Sequence, residues 1–101
     1  MLFSPSALRY VVVLVLVFVV VAGAAVAMVD SENVGSIEDG IWWALTTVTT
    51  AGYGDVVPRS TLGRVVAGVV MLVGIGFFAL LTAAVAATFV KQDEKPEELR
   101  L

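Results

Sequence analysis

Residues 49–55 read Thr-Thr-Ala-Gly-Tyr-Gly-Asp, and this stretch decides the fold of the chain. In an extended segment, successive carbonyl groups point to opposite sides, so several can face one axis only if alternate residues adopt left-handed dihedrals. Glycine adopts them at little steric cost, and here Gly52 and Gly54 alternate with Ala51 and Tyr53. The spacing predicts a row of carbonyl oxygens, which would stack into rings if several copies of the chain surrounded an axis.

Rings of carbonyl oxygens can replace the hydration shell of a hard monovalent cation. Thr50 adds a hydroxyl acceptor at the inner end of the row. The preceding residues 37–48 predict a short helix, because Ser36 can cap it and Asp39 stands in the capping-box position. The negative end of the dipole of this helix would point toward the ion. At ~18 Å this helix cannot span a bilayer and is expected to be re-entrant. Irregular backbone at that depth is tolerated only inside protein or along a watery cavity, so the segment requires neighbouring subunits.

The composition indicates a membrane protein. Of 101 residues, 59% are apolar and 15% charged, and the mean hydropathy is +1.00, whereas soluble domains average nearer half apolar and a quarter charged. Cysteine and histidine are absent, which excludes disulfides, thiolate metal sites and imidazole bases, and we expect no enzyme. The net charge of −3 argues against nucleic acid as a partner.

Two uncharged runs flank the central segment, residues 10–29 and residues 65–90. The first has 20 residues and as a helix would span ~30 Å, the thickness of a hydrocarbon core. The second has 26 residues and at ~39 Å must tilt, kink or protrude. A cleaved signal peptide is the alternative for the first run, because Arg9 precedes it and Ala25-Val26-Ala27 resembles a cleavage site. The uncharged run at residues 10–29 is, however, longer than the apolar core of a typical signal peptide.

The charged residues predict an orientation. Four basic residues lie near the termini and two in the middle segment. We expect the protein in the plasma membrane, where the positive-inside rule places both termini in the cytoplasm. Residues 30–64 hold five acidic side chains. These predict either a solubilising loop or an acidic mouth that raises the local cation concentration.

Residues 49–55 resemble the potassium-channel signature. The likeness extends over residues 36–90. Within this range the sequence is similar to bacterial potassium channels at Trp42-Trp43, Pro58, Gly63-Arg64, Met71, Gly74-Ile75 and Thr82-Ala83-Ala84. The sequence therefore resembles the pore domains of prokaryotic potassium channels, both the pH-gated two-helix type and the voltage-gated type.

The resemblance implies an all-α membrane protein in which two transmembrane helices flank a re-entrant pore helix and an extended selectivity filter, assembled as a homotetramer around a central pore. One pore domain would cover residues 1–101; its parts would be an outer helix at 10–29, a pore helix at 37–48, a filter at 50–55, an inner helix at 65–90 and a cytoplasmic tail at 91–101. The channel would contact membrane lipid and conduct K⁺ passively, without an organic cofactor.

The resemblance also assigns residues to roles. The filter would comprise Thr50, Ala51, Gly52, Tyr53 and Gly54, with K⁺ held at the first four. Filter support would come from Trp42, Trp43, Thr46 and Asp55. The cavity and gate would be lined by Ile75, Phe78, Thr82, Ala86 and Val90, and the inner helix would bend at Gly74, with Gly76 close by.

Three positions depart from the family pattern. Ala51 replaces the common valine, which predicts a more pliable filter. Thr46 replaces a glutamate found in the pH-gated type, so no carboxyl pair can form and Asp55 is left to accept from the Trp43 indole. Val57 offers no aromatic face to an external quaternary ammonium ion, so we expect weak external block.

Two other functions stay open at this level: a weakly selective cation channel, on the strength of Ala51, and a helical-hairpin membrane subunit that conducts nothing. The chain shows no regularly spaced arginines of a voltage sensor. Whether it is a whole small channel, or the pore of a protein with a cytoplasmic or voltage-sensor domain, is left open.

Overall fold

The structure, a computed structural model, describes the backbone of residues 5–100 and the side chains of residues 6–90. Within this part the chain forms four helices: α1 at Pro5–Val29, α2 at Ser31–Val34, α3 at Ile37–Val48 and α4 at Thr61–Arg100. Two stretches, Ser6–Val29 and Thr61–Val90, are long and apolar enough to cross a membrane. The short helices and the segment 49–60 lie between them.

Helix α1 packs through a stripe of residues spaced three or four apart, the repeat of one helical face. Its buried members are Val11, Val15, Val19, Ala22 and Val26, while the opposite face is exposed. The helix begins at Pro5, five residues before the predicted start, and proline is tolerated there because a first-turn N–H has no intrahelical partner. The predicted start marked the beginning of the uncharged run, not of the helix.

Helix α4 runs antiparallel to α1. The Phe18 and Phe77 rings are in tilted contact, with centroids 4.9 Å apart and 36° between their planes, and the end of α1 meets the start of α4 at Asp30. The helix starts at Thr61, four residues earlier than predicted, because the Ser60 hydroxyl accepts from the Gly63 N–H at 3.0 Å and caps it. It also continues past the predicted end at residue 90 through residues 91–100, which are rich in good helix formers.

Helix α3 occupies residues 37–48, the span expected from the sequence. The Ser36 hydroxyl accepts from the Asp39 N–H at 3.1 Å and caps its start. Trp43, Ala44 and Val48 are buried against the two long helices. α3 therefore packs between α1 and α4, and its C-terminal end leads directly into residues 49–55.

Asp30 joins the two long helices where they meet. Its side chain is 4% exposed, and Oδ2 accepts from the backbone N–H groups of Arg59, at 2.6 Å, and Ser60, at 3.0 Å, while Oδ1 accepts from the Asn33 side chain at 2.8 Å. The Ser60 N–H, followed by Asn33, lowers the pKa of Asp30 to about 2. A methyl group at Gly63 would lie 2.9 Å from Oδ2, so glycine is needed there.

Candidate functional site

The backbone of residues 50–54 alternates in handedness. Thr50, Gly52 and Gly54 have φ values of 65°, 57° and 77°, so every second residue is left-handed. The two glycines were expected from their spacing. Thr50 was not, because a β-branched residue rarely adopts positive φ. Its N–H donates to the Thr47 carbonyl at 3.1 Å, which helps to hold this unfavourable conformation.

The inner part of the filter segment is tied to the last turn of α3. The Gly52 N–H donates to the Thr46 carbonyl at 3.0 Å, and the Thr49 hydroxyl donates to the Leu45 carbonyl at 2.7 Å. The last carbonyls of a helix have no partner within the helix itself. Residues 49–52 supply those partners and are thereby fixed relative to α3.

The outer part is tied to α3 by Trp42, not by Trp43 as expected. The Trp42 indole N–H donates to Asp55 Oδ2 at 2.8 Å, and its ring stacks on Tyr53 with centroids 5.9 Å apart and 5° between planes. Trp43 is 3% exposed and lies in the core. Neighbouring residues on a helix point about 100° apart, so only one of the two indoles can face the filter.

Thr46 contacts the expected filter segment, residues 50–55, through its backbone. The side chain is 5% exposed, and its hydroxyl donates to the Trp43 carbonyl at 2.9 Å, within α3. The carbonyl of Thr46 is the group that meets Gly52. The sequence predicts that Thr46 supports the filter, and the atom that contacts residues 50–55 is its backbone carbonyl.

The residues expected to line a cavity form one stripe on α4. Ile75, Thr82, Ala86 and Val90 are exposed and Phe78 is half-buried, and their three- and four-residue spacing puts them on one side of the helix. The Thr82 hydroxyl donates to the Phe78 carbonyl at 2.9 Å. Their role in a cavity or gate remains a prediction.

The two glycines expected to form a hinge differ in surroundings. Gly74 is buried, and a methyl group there would lie 3.1 Å from Val48 Cγ2 and 3.6 Å from Phe18 Cε2. At Gly76 an added methyl group would meet no atom of the described residues within 4 Å, apart from the adjacent backbone of its own helix. Gly74 therefore has a packing role against α3, whether or not the helix bends there.

The acidic residues separate into two groups. Glu32, Glu38, Asp39 and Asp55 are exposed, whereas Asp30 is buried in its hydrogen bonds with the start of α4. The sequence predicts that all five belong to a solubilising loop or an acidic mouth, but Asp30 is a buried structural carboxylate instead. Its long-range partners, 29 and 30 residues away, leave no local sequence signal.

Comparison with known proteins identifies the family. The sequence model of a family described as "Ion channel" matches residues 14–91. This chain belongs to the ion channel family. The resemblance to potassium-channel pores expected from residues 49–55 is confirmed, and with two membrane-capable helices the ion channel is a membrane protein.

Named relatives of this ion channel share its pore region. A cyclic nucleotide-gated potassium channel of Rhizobium etli is 41% identical over an 88-residue alignment that covers 81% of this chain and 25% of that protein. A calcium-gated potassium channel of Thermoplasma volcanium is 45% identical over a 76-residue alignment that covers 70% of this chain and 22% of that protein. The chain thus spans about a quarter of the length of these relatives.

A solved structure confirms the all-α pore fold of the ion channel. The crystal structure of a voltage-gated K⁺ channel pore module, in a closed state in lipid membranes, superposes with a TM-score of 0.69 at 28% identity. The match covers 89% of this chain and 98% of that module.

Proposed function

We propose that this ion channel conducts K⁺ passively and selectively across the plasma membrane, through a filter formed by the backbone carbonyls of Thr50, Ala51, Gly52 and Tyr53 and the Thr50 hydroxyl. The left-handed φ at residues 50, 52 and 54 carries the proposal, because it turns consecutive carbonyls to one side. The potassium-channel relatives support the choice of cation.

The proposal requires a homotetramer, because one chain provides only one side of each carbonyl ring. Residues 51–55 are exposed along the chain, and irregular backbone at membrane depth needs surrounding protein or a watery cavity. An open groove of about 390 Å³ lies beside the filter, lined by residues that include Trp43, Thr46, Met71 and Ile75. We assign this groove to packing between subunits, and the outward faces of α1 to lipid.

In this arrangement both termini lie in the cytoplasm. The exposed carboxylates Glu32, Glu38 and Asp39 then face the outside and concentrate cations at the entrance. Conduction proceeds as ions step between adjacent carbonyl sites, each favourable enough to enter and weak enough to leave. The proposal assigns no catalytic residue and no organic cofactor.

A reversal potential tests the proposal. Purified protein in a planar bilayer, with K⁺ on one side and Na⁺ on the other, should reverse near the K⁺ equilibrium potential. Currents that reverse near zero would favour the weakly selective cation channel instead. Protein that runs near its 10.6 kDa chain mass under every condition, and that passes no current, would favour the helical hairpin.

A matched pair of variants connects the current to the filter. Gly52→Ala places a side chain at φ 57°, where it is strained, and should abolish or strongly reduce the current. Gly68→Ala makes the same chemical change where the added methyl group meets no atom of the described residues within 4 Å, apart from the adjacent backbone of its own helix, and should preserve the current. Equal effects of the two would argue against the filter assignment.

A further inference from the structure

Helices α1 and α3 touch backbone to backbone at Gly23 and Gly40, both of which are buried. A methyl group at Gly23 would lie 2.5 Å from the Cα and nitrogen of Ile41 and 2.6 Å from the carbonyl carbon of Gly40. A methyl group at Gly40 would fall onto the carbonyl oxygen of Gly23. The helices reach this separation only because neither residue carries a side chain.

The contact lies close to the groups that hold the filter. Trp42, which bonds to Asp55, follows Gly40 by two residues, or ~3 Å along the helix. The Trp42–Asp55 hydrogen bond is 2.8 Å long, and such bonds weaken beyond ~3.2 Å. A displacement of α3 by a few tenths of an ångström at Gly40 is therefore enough to weaken this support.

The same helix holds the filter from its other end. Thr46, one and a half turns after Gly40, accepts from the Gly52 N–H at 3.0 Å. Because α3 moves as a rigid body on this scale, a shift of α3 against α1 changes the Trp42–Asp55 and the Thr46–Gly52 hydrogen bonds together. At the Gly23–Gly40 contact backbone meets backbone, so no side chain can move to absorb a change in the separation of the two helices.

We propose that Gly23 and Gly40 are positioning residues for the selectivity filter. Their contact sets the depth and tilt of α3 at which Trp42 and Thr46 meet residues 52–55. Neither glycine meets the ion. The inference rests on the proposed function, because ion binding by the filter is what the contact would control.

The test separates filter positioning from general stability. The melting temperature of the assembled protein is measured in K⁺ and in Na⁺ at equal ionic strength; an ion that binds only the folded filter raises it, and the difference is the K⁺ increment. In Gly23→Ala and Gly40→Ala we expect the K⁺ increment to fall to about half or less. Gly68→Ala is the matched control and should keep the increment of the parent protein.

A merely structural contact would behave differently. It would lower both melting temperatures equally and leave the K⁺ increment unchanged, which would overturn the proposal. A parent protein without any K⁺ increment would overturn the proposed function, and the positioning role with it. A normal parent increment that survives the substitutions overturns the positioning role alone.

A second variant avoids the steric clash in case the alanine variants do not assemble. Ala27 is 7% exposed and stands one turn after Gly23, and its Cβ would lie 3.2 Å from a methyl group added at Gly40. Ala27→Gly loosens the contact without overfilling it and should also reduce the K⁺ increment. Ala25→Gly, on the opposite face of α1, is its control; equal increments in both variants would overturn the proposal.

Discussion

The Trp42 indole nitrogen lies 2.8 Å from Asp55 Oδ2, across thirteen residues of chain, and the same ring stacks on Tyr53. One side chain of α3 thus holds two residues of the filter segment, the first through a hydrogen bond to a carboxylate and the second through ring contact. The two contributions can be separated by substitution.

Trp42→Phe removes the indole N–H and keeps an aromatic ring over Tyr53. Hydrogen bonds with a charged partner are stronger than neutral ones, so we expect a coupling free energy of about 1 kcal/mol between Trp42 and Asp55 at this exposed site. A double-mutant cycle with Asp55→Ala, which removes the acceptor, read by denaturant unfolding of the assembled channel, measures it. Additive effects of the two substitutions would show that the bond contributes nothing.

Ala51→Val restores the side chain common in the family. The added bulk amounts to two methyl-sized groups, worth roughly 1.6 kcal/mol per subunit if it is buried behind the filter in the assembly. We expect a higher K⁺/Na⁺ permeability ratio and slower inactivation, measured by reversal potentials and by steady current in planar bilayers. Unchanged values in both measurements would remove the hypothesis of a pliable filter.

The stability of the channel should depend on the ionisation of Asp30 at acid pH. Its pKa is lowered from 3.8 to about 2, so its charged form stabilises the fold above pH 3.8, and this stabilisation is lost as the pH falls toward 2. Asp30→Asn should therefore lower the melting temperature above pH 4, with a difference that disappears near pH 2. Glu32→Gln, at an exposed carboxylate two residues away, is the control and should show no such pattern.

Gly74→Ala tests packing against bending. The new methyl group would stand 3.1 Å from Val48 Cγ2, and overfilling of this kind costs about 1–3 kcal/mol. If packing is the cause, Val48→Ala in the same chain should restore much of the lost stability. If Gly74 acts only as a bend, Val48→Ala will not rescue it, and the defect will lie in channel opening rather than in melting temperature.

Gly76→Ala provides the comparison for Gly74. Among the described residues, an added methyl group there meets no atom within 4 Å beyond the adjacent backbone of its own helix, and alanine is a better helix former than glycine by up to ~1 kcal/mol. We expect unchanged or slightly higher stability. Strong destabilisation would place another subunit against Gly76.

Much of the architecture could be predicted because its causes are local. The Ser36 cap and the apolar run after it define α3, and uncharged runs of bilayer length define the cores of α1 and α4. The same reasoning misplaced the start of α1 and both ends of α4, because charge marks where a membrane ends and says little about where a helix ends.

The parts of the site that were missed depend on distant contacts. Whether Trp42 or Trp43 faces Asp55 is a question of helix rotation, which only the packing of α3 fixes. Likewise the positive φ of Thr50 comes from the constraints on both sides of it and not from its own preference.

The alternating φ of residues 50–54 makes this segment stereochemically similar to a peptide of alternating L and D residues. In such a chain one edge consists of oxygen atoms and the other carries the side chains. In the proposed filter the ion path would therefore depend little on side-chain identity beyond the Thr50 hydroxyl, and two kinds of substitution are expected to differ. Substitutions at 51 and 53 should alter how firmly the path is held, whereas substitutions at 52 and 54 should alter whether it exists.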